Sequence, residues 1–242
     1  MKIARALAAS AAVIASSMFI GACGLVSNNG SNPGGSSTDA PAAPTLGKEF
    51  PAIRAAALAA HSVRIDGNVV QGGHRIRLNL ALVKPSDAAG WVAKGRQRFA
   101  IIVASGHAYI RINRRFLRLA HLPSSVCAKA CGKYLDAPAS SAREFTHLSL
   151  AHLMKSLFKD GVPAAEKNLK LKSAEFHGQP AWTVTGHHVT IYISKGTMPY
   201  LLSLTLHGQH VTFSDWNKAT VTAPPARKVL TASQLGSLAV GG

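Results

Sequence analysis

The most regular feature of this chain is an alternation of apolar and polar residues with a period of two. In residues 74–82, Ile76, Leu78 and Leu80 are separated by arginine and asparagine residues. Successive side chains of a β-strand point to opposite faces of a sheet, so this segment is predicted to be a strand with one buried face. The same pattern predicts strands at 62–70, 99–103, 107–113, 115–119, 169–177, 180–186, 189–195, 199–207 and 210–216.

Two other segments repeat their apolar residues with the period of an α-helix. Residues 46–61 place Phe50, Ile53, Ala57 and Leu58 on one side of a predicted helix. Residues 145–158 predict a second, amphipathic helix. Its apolar stripe consists of Leu150, Leu153, Met154, Leu157 and Phe158.

The order of these elements predicts an α+β domain. Short turns that contain glycine connect many of the strands, so the sheet should be antiparallel, with the few helices covering one face. A sheet of about ten strands twists and curls, so we expect the sheet and helices to enclose an apolar space. The sequence leaves open whether that space is filled by side chains or hollow.

The N-terminal region has the features of an export signal. A basic start with Lys2 and Arg5 precedes an apolar run that ends in Ile20-Gly21-Ala22-Cys23. This sequence resembles the lipobox of bacterial lipoproteins, which implies that residues 1–22 are a signal peptide and that Cys23 is acylated. The protein is therefore predicted to be exported and lipid-anchored to the outer face of the cell membrane. A plain secretory signal with an incidental cysteine is the alternative.

The rest of the chain is predicted to form one folded domain with a terminal extension at each side. Residues 23–45 are mostly Gly, Ser, Asn, Pro and Ala and are predicted to be a flexible tether. Residues 46–225 are long enough for one domain with a sizeable core. Residues 226–242 are assigned to a C-terminal tail.

Two cysteines remain once Cys23 is assigned to lipidation. Cys127 and Cys131 lie about one helical turn apart, which a disulfide accepts, and an exported protein meets an oxidising compartment. A zinc site would need further ligands, and only His121 lies close in sequence. A structural disulfide is therefore the prediction.

The charge is strongly positive, with 27 Lys and Arg against 10 Asp and Glu and a formal net charge of +17. Such a field favours anionic partners. Export and the lack of aromatics interleaved with basic residues argue against nucleic acid, which leaves anionic headgroups and wall polymers. Four arginines are predicted to bracket a hairpin, either as a headgroup site or as a solvated turn that blocks edge pairing: Arg111, Arg114, Arg115 and Arg118.

Motifs for catalysis, metals or cofactors are not found. The ten carboxylates form no motif-placed acid–base pair, and there is no Gly-x-Ser-x-Gly elbow, His-Glu-x-x-His or phosphate-binding loop. His187, His188, His207 and His210 could converge on neighbouring strands, but exposed strand positions are the preferred interpretation. Asp215 is expected to stabilise a strand end. The protein is predicted to be non-enzymatic, with no metal and no cofactor.

The closing strands resemble the actinobacterial LppX/LprA/LprF/LprG lipoproteins. The resemblance rests on residues 189–206, on Phe213-Ser214-Asp215-Trp216 and on the opening segment 59–67. It implies a strongly curved half-barrel sheet, similar to LolA and LolB, that holds acyl chains of lipids or lipoglycans between sheet and helices. The implied cavity lining is Ile76, Leu78, Leu80, Leu150, Leu153, Met154, Leu157, Ile191, Leu202 and Leu204.

Two functional hypotheses follow. The first is a membrane-anchored lipoprotein that binds or transfers lipids and acts as a monomer. The second is a structural or sensory surface module with a filled core, which docks to anionic wall polymers or to a protein partner through its positive surface.

Overall fold

The computed structural model describes residues 44–71, 74–137, 149–158, 167–186 and 189–240. Within these residues the fold is α+β, with one twelve-stranded sheet and few helices. The strands are β1 (Ser62–Gln71), β2 (His74–Val83), β3 (Asp87–Lys94), β4 (Gln97–Ala104), β5 (His107–Arg111), β6 (Tyr134–Asp136), β7 (Lys172–Phe176), β8 (Gln179–Thr185), β9 (Val189–Ser194), β10 (Leu201–Leu206), β11 (Gln209–Ser214) and β12 (Val229–Leu230). The helices are α1 (Leu46–Ala59), α2 (Arg114–Leu119), α3 (Cys127–Ala130), α4 (Leu150–Leu157) and α5 (Ala232–Val240).

The strand order is β12-β6-β5-β4-β3-β2-β1-β11-β10-β9-β8-β7. Every neighbouring pair is antiparallel except β12 with β6, which is parallel. Most neighbours follow each other along the chain, as hairpins require, whereas β1 pairs with β11 across a long sequence separation. The predicted antiparallel α+β architecture is therefore confirmed at this level.

One face of the sheet is apolar and packs against helices. Leu80 on β2 lies opposite Ile65 on β1, and both are buried. They belong to one core cluster with Ile53 of α1 and Leu150 of α4. The rings of Phe50 and Phe158 meet edge to face with centroids 5.6 Å apart, which links the two helical segments. Burial of this continuous apolar surface is the main stabilising term of the fold.

Gly67 occupies a point in the sheet where two backbones come very close. It lies opposite Leu78 on β2 and Val211 on β11. A Cβ atom at position 67 would overlap the carbonyl oxygen of His210 and lie 2.7 Å from the Cα of Val211. Backbone atoms of a paired strand cannot move aside as a flexible side chain can, so only glycine fits here.

The hairpins define two ends of the sheet. We call the end that carries the β1–β2, β3–β4 and β10–β11 turns the proximal end, and the end that carries the β2–β3, β4–β5 and β9–β10 turns the distal end. The described chain begins at the proximal end, where Thr45 bridges to Lys170 just before β7. Helix α1 then runs to the distal end, where β1 begins.

The strand predicted at 115–119 is wrong, because residues 114–119 form helix α2. The side-chain oxygen of Asn113 accepts a hydrogen bond from the backbone N–H of Phe116 at 2.8 Å and so caps the helix. Phe116 and Leu117 are both buried on the side of this helix that packs against the core. The predicted hairpin at this point does not exist.

The other predicted strands and helices are present with shifts of a few residues at their ends, and residues 145–148 of the second predicted helix lie outside the described residues. Strand β3 was not predicted, because Ala88, Ala89 and Ala93 give its two faces little contrast in hydrophobicity. The segment assigned to a C-terminal tail contains α5, and Leu235 of this helix is fully buried in the core.

Candidate functional site

The ten residues proposed as cavity lining fall into two groups by burial. Ile76, Leu78, Leu80, Leu150 and Met154 are buried within the core cluster. Leu153, Leu157, Ile191, Leu202 and Leu204 are half-buried. All but Leu202 are buried in the core cluster or packed against it. Leu202 lies at a break in the register between β10 and β9.

A strip of half-buried apolar side chains runs across β11, β10 and β9. Val211 lies opposite Leu204, and Leu204 lies opposite Ile191. The strip continues the row that begins at Leu78 and passes Gly67. Leu78 is buried, with 7% of its surface exposed, but the three residues of the strip are only half-buried. Helical cover over the apolar face is therefore less complete on β9–β11 than on β2.

The Phe213-Ser214-Asp215-Trp216 segment closes this part of the core. The Trp216 indole N–H donates a hydrogen bond to the carbonyl oxygen of Leu201 at 2.9 Å, and its ring stacks on Tyr200 at 4.9 Å. The Asp215 carboxylate accepts a hydrogen bond from Nε of Arg64 at 3.1 Å. These contacts join the ends of β1, β10 and β11, so the segment has a structural role.

Cys127 and Cys131 form a disulfide, as predicted, with Cα atoms 4.6 Å apart. The bond spans α3, whose Ala130 is fully buried in the core cluster. It therefore stabilises a short helix at the edge of the core.

Replacing both cysteines by alanine should lower the free energy of unfolding by about 2 kcal/mol, because the closed loop is short and its closure entropy is correspondingly small. The denaturant midpoint of the Cys127→Ala/Cys131→Ala variant measures this. Reduction should lower the denaturant midpoint of the parent protein to about that of the variant. It should leave the midpoint of the variant unchanged. Two thiols that react with an alkylating agent before reduction would contradict the assignment.

The four arginines predicted as a headgroup site are distributed over β5 and α2 instead of a hairpin. Arg111, Arg114 and Arg118 are exposed, and Arg115 is half-buried. The guanidinium of Arg115 donates a hydrogen bond to the carbonyl oxygen of Arg96 at 2.7 Å. This bond joins α2 to the β3–β4 hairpin at the proximal end.

The polar face of the sheet carries a cluster that sequence reasoning missed. The guanidinium carbon of Arg98 lies 4.1 Å from the ring centre of Trp91, and that of Arg77 lies 5.9 Å away. The three residues are on adjacent strands, where cross-strand pairing and not sequence spacing brings them together. On the same face, desolvation and then the nearby Asp136 carboxylate raise the pKa of the Tyr109 phenol above its ordinary value.

A metal site built from histidines, the less favoured interpretation of the sequence, is not found among the described residues. No group of three or more His, Cys, Asp or Glu side chains comes close enough there to hold a metal ion. Nδ1 of His210 lies 2.8 Å from Oγ1 of Thr205. His187 and His188 lie outside the described residues.

A shallow open groove of about 500 Å³ lies beside α5. It is lined by Lys129, Lys133, Leu230, Gln234, Ser237 and Leu238. Half of this lining comes from α5, which was not predicted. None of the helices in the described ranges is both long and apolar enough to cross a membrane.

Comparison with known proteins gives little support for a family. No protein-family model and no curated protein matches this chain. Among solved structures, the chain is similar to the MucA/MucB complex of Pseudomonas aeruginosa, with 11% sequence identity and a TM-score of 0.26. The match covers 78% of this chain and 60% of that chain, so this chain spans less than two thirds of its neighbour's length.

Proposed function

We propose that this protein is an exported, membrane-anchored lipoprotein that binds or transfers lipids or lipoglycans without catalysing a reaction. Acyl chains would lie between the apolar face of the sheet and helices α1 and α4. The observation that carries the proposal is the half-buried strip of Val211, Leu204 and Ile191. A contiguous row of half-buried apolar side chains leaves apolar surface available to a ligand, as a lipid-binding face requires.

The proposal includes a sheet that curls into a half-barrel, as the resemblance to the LppX/LprG lipoproteins implies. Two glycines on the apolar side support such curvature. Gly67 permits the close approach of β11, and Gly90 has a φ of +150°, with its missing side chain directed at the backbone of Asn79. Glycines of this kind commonly mark strong bends in curved sheets.

Acyl-chain burial would supply most of the affinity. Each buried methylene contributes about 0.8 kcal/mol, so roughly ten methylenes placed along the strip would contribute about 8 kcal/mol before the costs of association. The half-buried Leu153 and Leu157 of α4 and Phe50 of α1 would cover the chains from the helical side. The exposed arginines of α2 would meet an anionic headgroup.

The second candidate is a surface module with a filled core. The burial of Leu78, Leu80, Leu150 and Met154 in one cluster favours it, because close packing at these positions leaves no room for a ligand there. Native mass spectrometry of protein purified from its own host separates the two candidates. The lipid-binding proposal requires a lipid that co-purifies, and its absence would favour the surface module.

A matched pair of leucine substitutions tests where the lipid lies. Leu204→Phe adds volume to the half-buried strip, so it should lower the amount of lipid retained per protein and leave the denaturant midpoint of the delipidated protein nearly unchanged. Leu80→Phe adds the same volume to a buried site and should lower the free energy of unfolding by about 1–3 kcal/mol.

The two measurements, lipid retained and unfolding midpoint, are made on both variants. A Leu204→Phe variant that keeps its lipid would argue against the strip as the binding site. A midpoint lowered as much by Leu204→Phe as by Leu80→Phe, in a protein that never carries lipid, would show that the strip is part of a packed core.

A further inference from the structure

Carboxylates lie mainly toward the distal end of the sheet. Asp87 begins β3 there, Glu175 lies near the end of β7, and Asp215 directly follows β11. The ion pair of Arg64 with Asp215 is on the distal side, and so is Asp136, whose carboxylate lies 3.4 Å from Nδ1 of His107. Of the other described carboxylates, Asp66 is in the middle of β1 and Glu49 is in the first turn of α1.

Cations are concentrated at the proximal end. Seven of them lie on the β1–β2 and β3–β4 hairpins and on α2: Arg75, Lys94, Arg96, Arg98, Arg114, Arg115 and Arg118. None of these seven forms an ion pair with a carboxylate in the described part of the chain. The hydrogen bond from Arg115 to the carbonyl oxygen of Arg96 holds α2 against the β3–β4 hairpin, so the charges of both elements belong to one surface.

Exposed apolar side chains accompany these cations. Leu119 at the end of α2 is 37% exposed, and Val70 beside the β1–β2 turn is 47% exposed. A surface that combines basic residues with a few exposed aliphatic side chains suits the interface of an anionic bilayer, where electrostatic attraction and shallow apolar insertion add to each other.

The chain also enters the fold at this end. The Pro44 carbonyl oxygen accepts a hydrogen bond from the N–H of Leu171 at 2.8 Å, and Thr45 pairs with Lys170, at the proximal start of β7. If residues 23–45 are the flexible tether that their composition predicts, the average distance between Cys23 and this point is roughly 25 Å. A lipid anchor at Cys23 would then keep the proximal end near the bilayer.

We infer that the proximal end docks on the anionic lipid surface of the membrane, with phospholipid phosphate groups as the partners of its arginines. This inference rests on the proposed lipid anchor and adds an orientation to it. Docking would place α2 and the β3–β4 hairpin against the headgroups. The distal carboxylates would then point away from the bilayer, so that they are not repelled by the negative phosphate groups.

The test uses the mature chain, residues 23–242, with Cys23→Ser so that no acyl group contributes. Its co-sedimentation is measured with vesicles of phosphatidylcholine alone and with vesicles that contain phosphatidylglycerol. A basic residue near such a surface contributes about five-fold to the partition coefficient, so Arg96→Gln/Arg114→Gln/Arg118→Gln should weaken binding to the anionic vesicles about 100-fold. The matched control, Lys84→Gln/Lys195→Gln/Lys218→Gln, removes the same charge at the distal end and should bind nearly as the parent does.

Binding that is confined to anionic vesicles, lost in the proximal variant and weakened by salt supports the inference. Equal losses in the two variants would overturn it, because net charge and not the proximal end would then be responsible. Tighter binding to a soluble polyanion such as dextran sulfate than to the vesicles would overturn the membrane as the partner. Lipid content is measured by native mass spectrometry on the parent protein, without vesicles and without the arginine substitutions, so failure of docking and failure of lipid binding are distinguishable.

Discussion

Replacing Cys23 by alanine should release this protein from the membrane fraction or leave it as an uncleaved precursor. The lipobox resemblance predicts that Cys23 is acylated, and no other cysteine is available because Cys127 and Cys131 are joined in a disulfide. Each acyl methylene contributes about 0.8 kcal/mol to insertion, and two chains hold a protein at the bilayer far more stably than one. Loss of the thiol removes that entire contribution.

Fractionation and intact-mass measurement check this prediction. The wash should contain about 1 M salt, where charges are screened beyond about 3 Å, so that the basic proximal end does not retain the unlipidated protein. The Cys127→Ala/Cys131→Ala variant is the control, since it removes cysteines without removing the anchor. A Cys23→Ala protein that stays in the membrane fraction with the mass of the processed parent would contradict the lipoprotein assignment.

Replacing Trp216 by alanine should lower the free energy of unfolding by about 3–5 kcal/mol, as truncation of a large buried aromatic residue does. The residue is only 9% exposed and stacks on Tyr200 and Phe213, with ring centres 4.9 Å and 6.1 Å away. Its indole N–H also satisfies the carbonyl oxygen of Leu201. The substitution would leave a cavity where β10 and β11 meet.

Two further variants separate these contributions. Trp216→Phe keeps an aromatic ring but leaves the Leu201 carbonyl without its donor, so we expect an intermediate loss of about 1–3 kcal/mol. Trp91→Ala removes a tryptophan that stacks on Arg98 on the polar face and should cost about 1 kcal/mol or less. Circular dichroism during urea unfolding gives all three values, and equal losses for Trp216→Ala and Trp91→Ala would refute the structural role of Trp216.

The sequence predicted those elements in which one face differs clearly from the other. The alternation of leucine with arginine in β2 and the helical stripe of α4 identify their buried side chains directly. Sequence failed where this contrast is absent or misleading. Strand β3 has alanine on both faces. The sequence of residues 115–119 was interpreted as a strand. The segment is helical because Asn113 caps it and because packing against the core buries both Phe116 and Leu117.

By itself, the sequence determined the α+β class, the disulfide partners and most of the residues that are buried, because each depends on local spacing and on side-chain chemistry. Only the tertiary structure decided which strands are neighbours, since β1 and β11 pair across more than half of the chain. That pairing aligns Leu78, Gly67 and Val211 in one row and brings Asp215 to Arg64. It also separates the charges between the two ends of the sheet, a property of spatial position that no local pattern contains.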